Sequence, residues 1–267
     1  PFLQAGIDSF YRIPLGGGIE EYVGWHNYRV VFEDPTMRDA FYRSVWWTIA
    51  NIVIQAGLGL VLALVLNQRL RGRGLARGLS LFPYMVPAVS VAMVFRYTFN
   101  DITGIASYLM QKAPWLGSPP LFLADPDIVM WTVIAVNSWK YTPFITIVLL
   151  ARLQTVPTDL YEAAKIDGAS PWQMFRDITF PWLRPVFLIA LLLRTIWTIN
   201  DFDVIYLLAF GGPLNASTTL PIKIRELAFG QQDLGLASAL AVVMAVVIAA
   251  ISFIYLRLYQ RSEERLM

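Results

Sequence analysis

The sequence predicts an all-α protein that crosses a membrane several times, and three observations carry that prediction. Hydrophobic residues make up 57% of the 267 positions and charged residues 15%, where an ordinary soluble domain is about 25% charged. The mean hydropathy is +0.53. The apolar residues are also gathered into five runs near the roughly 20 residues that span a hydrocarbon core, and Lys and Arg concentrate in alternate connections between them.

The runs are Ser44 to Leu66, Leu79 to Phe99, Ile128 to Leu150, Pro185 to Leu208 and Leu234 to Leu258. The second carries Pro83 and Pro87 and the third Pro143. Both read as kinked spans, because neighbouring helices can satisfy the carbonyls that proline frees. Gly59 and Ala63, with Ala56, form a small-residue stripe in the first run, which reads as close helix packing. Asn51 and Gln55 read as polar glue between helices there, and Arg96 as a snorkelling side chain.

Orientation follows from the basic residues. Arg69, Arg71, Arg73 and Arg77 follow the first run, Arg152, Lys165, Arg176 and Arg184 follow the third, and Arg257, Arg261 and Arg265 follow the fifth. This side is cytoplasmic by the positive-inside rule, so residues 1–42, 100–127 and 209–233 face outward. An exported opening segment needs a span ahead of it, so one further upstream span is expected, six in all with both ends inside.

Several function classes drop out. Zero cysteines and one histidine, His26, leave no thiolate nucleophile, no zinc cluster and no hydrolase triad. His26 reads as a surface residue. A net charge of +2 with scattered arginines argues against a nucleic-acid partner. No Gly-x4-Gly-Lys-Ser/Thr stretch cradles phosphates, so energy has to come from a separate ATPase or from an ion gradient.

Ionisable groups at membrane depth are expensive and therefore candidate functional residues. Asn137, Lys140 and Tyr141 share one helical face of the third run, and Arg194, Trp197, Thr198 and Asp201 share one of the fourth, with Asn200 and Asp203 near its outer end. Trp139 and Phe202 lie nearby. Hydroxyl partners and aromatic planes suit a sugar path, and the two faces are expected to converge on a cavity. Structural roles compete for each residue: Lys140 paired with Asp201, Arg194 capping a helix, the aromatics packing. Lys140, Asp201 and Asp203 also allow a different reading, a self-contained secondary transporter with an ion relay.

The third connection, residues 155–181, is polar and helix-forming. Pro157 and Thr158 start a helix, Gly168 stops it with a left-handed cap, and Ser170, Pro171 and Gln173 open a second helix with a capping box. The expectation is a compact cytoplasmic helix-turn-helix.

Within it, Glu162-Ala163-Ala164, then Gly168 after three residues, Ile178 after nine more and the closing Pro181 resemble the EAA loop of ABC importer permeases, the binding-protein-dependent inner-membrane components. Phe180 stands where leucine is usual. "WKYTPFITIVLLARLQTVP", "NDFDVIYLLAFGGP" and "LGLASALAVV" look like the carbohydrate-uptake branch, and "GGPLNASTTLPIKIRELAF" is similar to its maltose- and glycerol-phosphate-type first permease.

The resemblance implies a single permease domain over 1–267 in a bacterial or archaeal cytoplasmic membrane. Its implied partners are a second permease subunit, two ATP-binding cassette ATPases and a periplasmic or extracellular substrate-binding protein. ATP and Mg would sit on the ATPase, with no cofactor, metal or catalytic residue on this chain. Glu162, Ala163, Ala164, Asp167, Gly168 and Ala169 would form the coupling helix that docks on the ATPase. Small side chains permit close approach there, and the carboxylates offer charge.

Overall fold

The computed structural model describes residues 2–68, 71–113, 115 and 117–263; Arg69 and Arg265, used above for orientation, lie outside them. The chain runs through α1 (Phe2–Asp8), a two-stranded hairpin of β1 (Tyr11–Arg12) and β2 (Glu21–Tyr22), α2 (His26–Glu33), α3 (Pro35–Asn67), α4 (Arg73–Met85), α5 (Ala88–Thr98), α6 (Ile105–Lys112) and α7 (Val129–Leu153). It continues with α8 (Thr158–Ile166), α9 (Pro171–Met174), α10 (Phe180–Ile199), α11 (Asp203–Ala209), α12 (Leu220–Arg225) and α13 (Leu234–Glu263). Wider π turns, Phe175–Thr179 and Glu226–Gly230, join α9 to α10 and extend α12.

Among the described residues, four helical stretches are long and apolar enough to cross a membrane: Pro35–Asn67, Val129–Leu153, Pro171–Ile199 and Leu234–Arg261. α4 and α5 make a fifth span if the bent pair is counted as one. The fold is therefore an all-α polytopic one.

Two segments differ from the expected runs. The run 79–99 is not one kinked helix: Val86 is extended, with ψ 131°, because a residue before proline is driven out of the helical region, and α4 ends there. Pro83, by contrast, is accommodated inside α4. The run 185–208 stops at Ile199, and α11 starts afresh at Asp203. The Asp201 carboxylate takes the Val204 N–H at 3.4 Å, a side chain competing with the helix for a backbone donor. Asp201 thus lies beyond the helix that carries Arg194 and Trp197.

Contacts divide the chain into two units, and the division passes through α3, α7, α10 and α13. The first unit, Pro1–Ala50, Ala88–Val136 and Trp197–Ala250, has a core of Val31, Met37, Ala40, Leu220, Leu227 and Leu240. Its opening segment is ordered by long-range ties. Asn27 donates its amide to the Ser9 and Tyr11 carbonyls, both at 2.9 Å, and Leu234 N–H bonds the Ile13 carbonyl at 2.9 Å. Gly235 is needed there because a Cβ would strike the Tyr11 carbonyl. Asp34 precedes Pro35 and accepts the Thr36 N–H at 2.6 Å, capping α3. Partial burial pushes its carboxyl up, but the Thr36 side-chain and backbone hydrogen bonds, the Lys223 charge and the Met37 N–H outweigh that and hold it below 3.8.

The second unit, Asn51–Pro87, Asn137–Ile196 and Ile251–Met267, is built on Ala63, Leu66, Ile145, Leu149, Leu153 and Leu183. Gly59 supplies the close approach expected of the small-residue stripe: a Cβ there would lie 2.7 Å from Ile145 Cγ2.

Candidate functional site

α3, α7 and α10 each bring polar side chains into the second unit, and these join in one buried network. Gln55 is fully buried and stands at its centre. Its Oε1 accepts from Arg194 Nε at 2.9 Å, and its Nε2 donates to Asn137 Oδ1 at 3.1 Å and to Asn51 Oδ1 at 3.3 Å. Ser138 Oγ donates to the same Asn51 oxygen at 3.2 Å. Such a network is stable in a low-dielectric interior because its donors meet acceptors.

Two cations share one ring beside it. The Arg194 guanidinium lies 4.3 Å from the Tyr141 ring centroid and the Lys140 ammonium 5.0 Å from it, while Lys140 also donates to the Val86 carbonyl. That carbonyl is one the α4 break frees from helical bonding. The structure therefore brings Asn137, Lys140, Tyr141 and Arg194 together, as the shared faces predict. It adds Gln55, Asn51 and Ser138. The signal for Asn51 and Gln55 was present: two amides four residues apart in an apolar span lie on one face.

The remaining path candidates belong to the first unit. Thr198 is buried, and its carbonyl accepts from Trp47 Nε1 at 2.9 Å. Trp197 is 43% exposed, and Asn200 and Asp203 are exposed, so these do not join a buried cluster within that unit. Along α11, Phe202 stacks on Tyr206 at 4.7 Å and Tyr206 meets Phe210 at 5.2 Å. Arg225 lies over Tyr206 and Arg96 over Phe210, at 4.4 and 4.6 Å. Arg96 is thus held on an aromatic face. Among the described residues no three His, Cys, Asp or Glu side chains gather as a metal site would need.

The connection after α7 folds as a hairpin of α8 and α9. Gly168 adopts φ +78°, and the Ala169 N–H returns to the Ala164 carbonyl at 2.9 Å, closing α8 as a left-handed cap does. Ser170 and Gln173 form the reciprocal capping box. No residue of α8 is buried; Glu162, Ala163, Asp167 and Gly168 are exposed, Ala164 and Ala169 partly so, and Ile166 is 87% exposed. Latches hold the hairpin's base. Tyr161 and Thr179 hydroxyls meet at 2.8 Å, Arg152 Nε donates to the Trp182 carbonyl at 3.1 Å with its guanidinium over the indole, and Trp182 Nε1 donates to Thr155 Oγ1 at 3.1 Å. Arg176 and Asp177 pair on the surface at 2.7 Å.

Comparison with known proteins gives the family. Over 240 residues the chain is 37% identical to the trehalose/maltose transport system permease protein MalF of Thermococcus litoralis, covering 88% of this chain and 79% of that one. It is 35% identical over 245 residues to the inner membrane ABC transporter permease protein YcjO of Escherichia coli, covering 91% and 82%. A chain of a bacterial ABC transporter that imports the acidic polysaccharide alginate has the same fold, with a TM-score of 0.79 at 24% identity over 90% of this chain and 84% of that one. Residues 55–267, which hold the exposed hairpin and all of the buried network but Asn51, match the family model for binding-protein-dependent transport system inner membrane components, and the chain belongs to that family.

Proposed function

We propose that the chain is the solute-translocating permease subunit of an ATP-driven importer for a sugar or sugar-like solute. Its partners on this reading are a second permease, two ATPase subunits that carry ATP and Mg, and a binding protein that delivers the solute from outside. The observation that carries the reading is the identity with permeases over nearly the whole chain, one of them named for trehalose and maltose. The ion-relay alternative is not favoured, since YcjO is an ABC transporter permease.

On this reading the chain does no covalent chemistry. The exposed α8–α9 turn, with Glu162, Ala163, Ala164, Asp167, Gly168 and Ala169, docks on the ATPase, and the apolar Ile166 and Leu160 beside it add burial. Asn137, Lys140, Tyr141 and Arg194 in one unit, and Trp197, Thr198, Asn200, Asp201 and Asp203 in the other, serve the solute path. Amide, hydroxyl and guanidinium groups replace the water that sugar hydroxyls give up, and aromatic faces meet the C–H faces of the sugar ring.

Uptake of labelled maltose and trehalose by vesicles holding the assembled transporter tests this, with ATP on the hairpin side. Uptake that needs both ATP and binding protein supports it; uptake driven by an ion gradient without ATP sinks it. Gly168→Leu places a Cβ where nothing beyond the adjoining residues lies within 4 Å. Apart from roughly 1–2 kcal/mol of left-handed strain, its effect falls on a docked partner. ATP hydrolysis should uncouple from uptake, and wild-type coupling in Gly168→Leu would remove the docking assignment.

A further inference from the structure

We infer that α6 is an interfacial helix, lying at headgroup level in the outer leaflet with an apolar stripe turned into the phospholipid. It plays this part whatever solute is carried. α6 belongs to residues 100–127, the connection that the arginines assign to the outward side, yet it does not present the face that water would select. Ile105, Tyr108 and Leu109 are each more than half exposed. With Lys112, also exposed, they stand at i, i+3, i+4 and i+7, one stripe of the helix. Ser107, on the opposite side, is buried. A helix on a water-facing surface shows the reverse arrangement, polar side out. Ile102, 90% exposed just ahead of α6, and Trp115, 83% exposed just after it, continue the pattern.

This exposure belongs to a fixed segment. Asn100 Oδ1 accepts the Ile102 and Thr103 N–H groups at 3.0 and 2.9 Å and the Thr103 hydroxyl at 3.1 Å, and a Cβ on Gly104 would strike the Asn100 carbonyl. Three ties then set the height of α6. Phe99 packs on Phe122 at 5.0 Å, the Leu123 N–H donates to Asp101 Oδ1 at 3.3 Å, and Thr132 Oγ1 donates to the Phe122 carbonyl at 2.9 Å. Thr132 lies in the first turn of α7, a span that begins at Val129. The segment leading into α6 is therefore fastened to the outer end of a span, which places α6 at the bilayer surface.

Phospholipid fits that place better than a protein partner. Interface cores between proteins are depleted in Lys. An apolar stripe that ends in Lys, with Tyr and Trp beside it, suits headgroup level: the rings sit in the acyl boundary and the amino group reaches up to phosphate. The Lys112 ammonium lies 5.6 Å from the Tyr108 ring centroid, at one end of the stripe. A hollow of about 360 Å³ opens beside it, walled by Tyr97, Ile102, Thr103, Ile105, Tyr108 and Gln111. Rings and isoleucines, with a hydroxyl and an amide among them, match the glycerol-ester level of a phospholipid, where apolar and polar surfaces meet.

The chain has no cysteine, so single cysteines can carry nitroxide spin labels with no background from it. The test uses the assembled transporter in vesicles of phosphatidylcholine and phosphatidylglycerol, with ATP-driven uptake as the check that each labelled variant is intact. Labels at Ile105→Cys and Leu109→Cys should report a depth of roughly 5–10 Å below the headgroups. Their accessibility to oxygen relative to a water-soluble nickel chelate should be several-fold higher than at Glu20→Cys, an exposed position between β1 and β2. Nickel access at Ile105 and Leu109 equal to that at Glu20 would put α6 in water and overturn the inference. Labels immobilised and closed to both reagents would mean that protein covers the stripe, and would overturn lipid as its partner.

Discussion

Gln55→Leu should destabilise the protein and slow uptake, because the change keeps the side chain's size and removes its three hydrogen bonds. The bond to Arg194 involves a charge, worth about 1.5–3 kcal/mol in water-soluble proteins. The two amide bonds cross between groups that the bilayer leaves with other options, so each contributes nearer 0.6 kcal/mol. The new leucine recovers little, since lipid is as apolar as the interior. The net loss is roughly 3–4 kcal/mol, which lowers the unfolding midpoint by about 6–16 °C for a chain of this size. Intrinsic fluorescence of the nine tryptophans in a reconstituted sample reads that midpoint. Gln55→Glu keeps an acceptor on Arg194 and gives up only the two donated bonds, so its loss should be the smaller. Both variants break the bridge from Arg194 to Asn137, and uptake should fall with it. A Gln55→Leu protein that melts within a degree of wild type and transports normally would refute the idea that this amide organises the network.

Gly59→Ala and Gly57→Ala form a matched pair on α3. Both gain up to about 1 kcal/mol of helix propensity, but a methyl at Gly59 would sit 2.7 Å from Ile145 Cγ2 whereas nothing lies within 4 Å at Gly57. Overpacking at Gly59 costs about 1–3 kcal/mol, so its midpoint should fall while that of Gly57→Ala holds or rises; equal midpoints would contradict the close contact. Asp34, whose carboxyl is held below 3.8 in the folded chain, contributes stability that is present above the unfolded value and is lost as pH falls through the folded one. The midpoint measured from about pH 5 down to about pH 3 should fall less steeply in Asp34→Asn than in wild type, and parallel curves would deny Asp34 that role.

Hydrophobic runs made four long helices legible, because length and composition alone decide whether a segment can cross a bilayer. Their ends were less legible. Val86 stops α4 through a local clash with Pro87, which a kinked-span reading underweighted, and Asp201 takes a backbone N–H that apolar composition could not reveal. The hairpin's caps were readable from Gly168, Ser170 and Gln173, since capping is local chemistry. The hub role of Gln55 was not, because which way a helix turns its polar face depends on neighbours distant in sequence; Arg194 lies 139 positions away. The ordering of residues 2–42 rests on equally distant contacts, and its two-residue strands carry no periodicity at all.

The bonds at the base of the α8–α9 hairpin have a mechanical consequence. Tyr161 ties α8 to Thr179 in the turn that leads into α10, while Arg152 and Thr155, at the end of α7, grip Trp182. Those bonds bridge both roots of the hairpin, so a displacement applied at its tip has little slack to take up before it reaches the two long helices. On the proposed docking role, the hairpin would act as a short stiff crank rather than a tether. Loosening the grip at Trp182 should waste stroke at the root while leaving the tip's own surface unchanged.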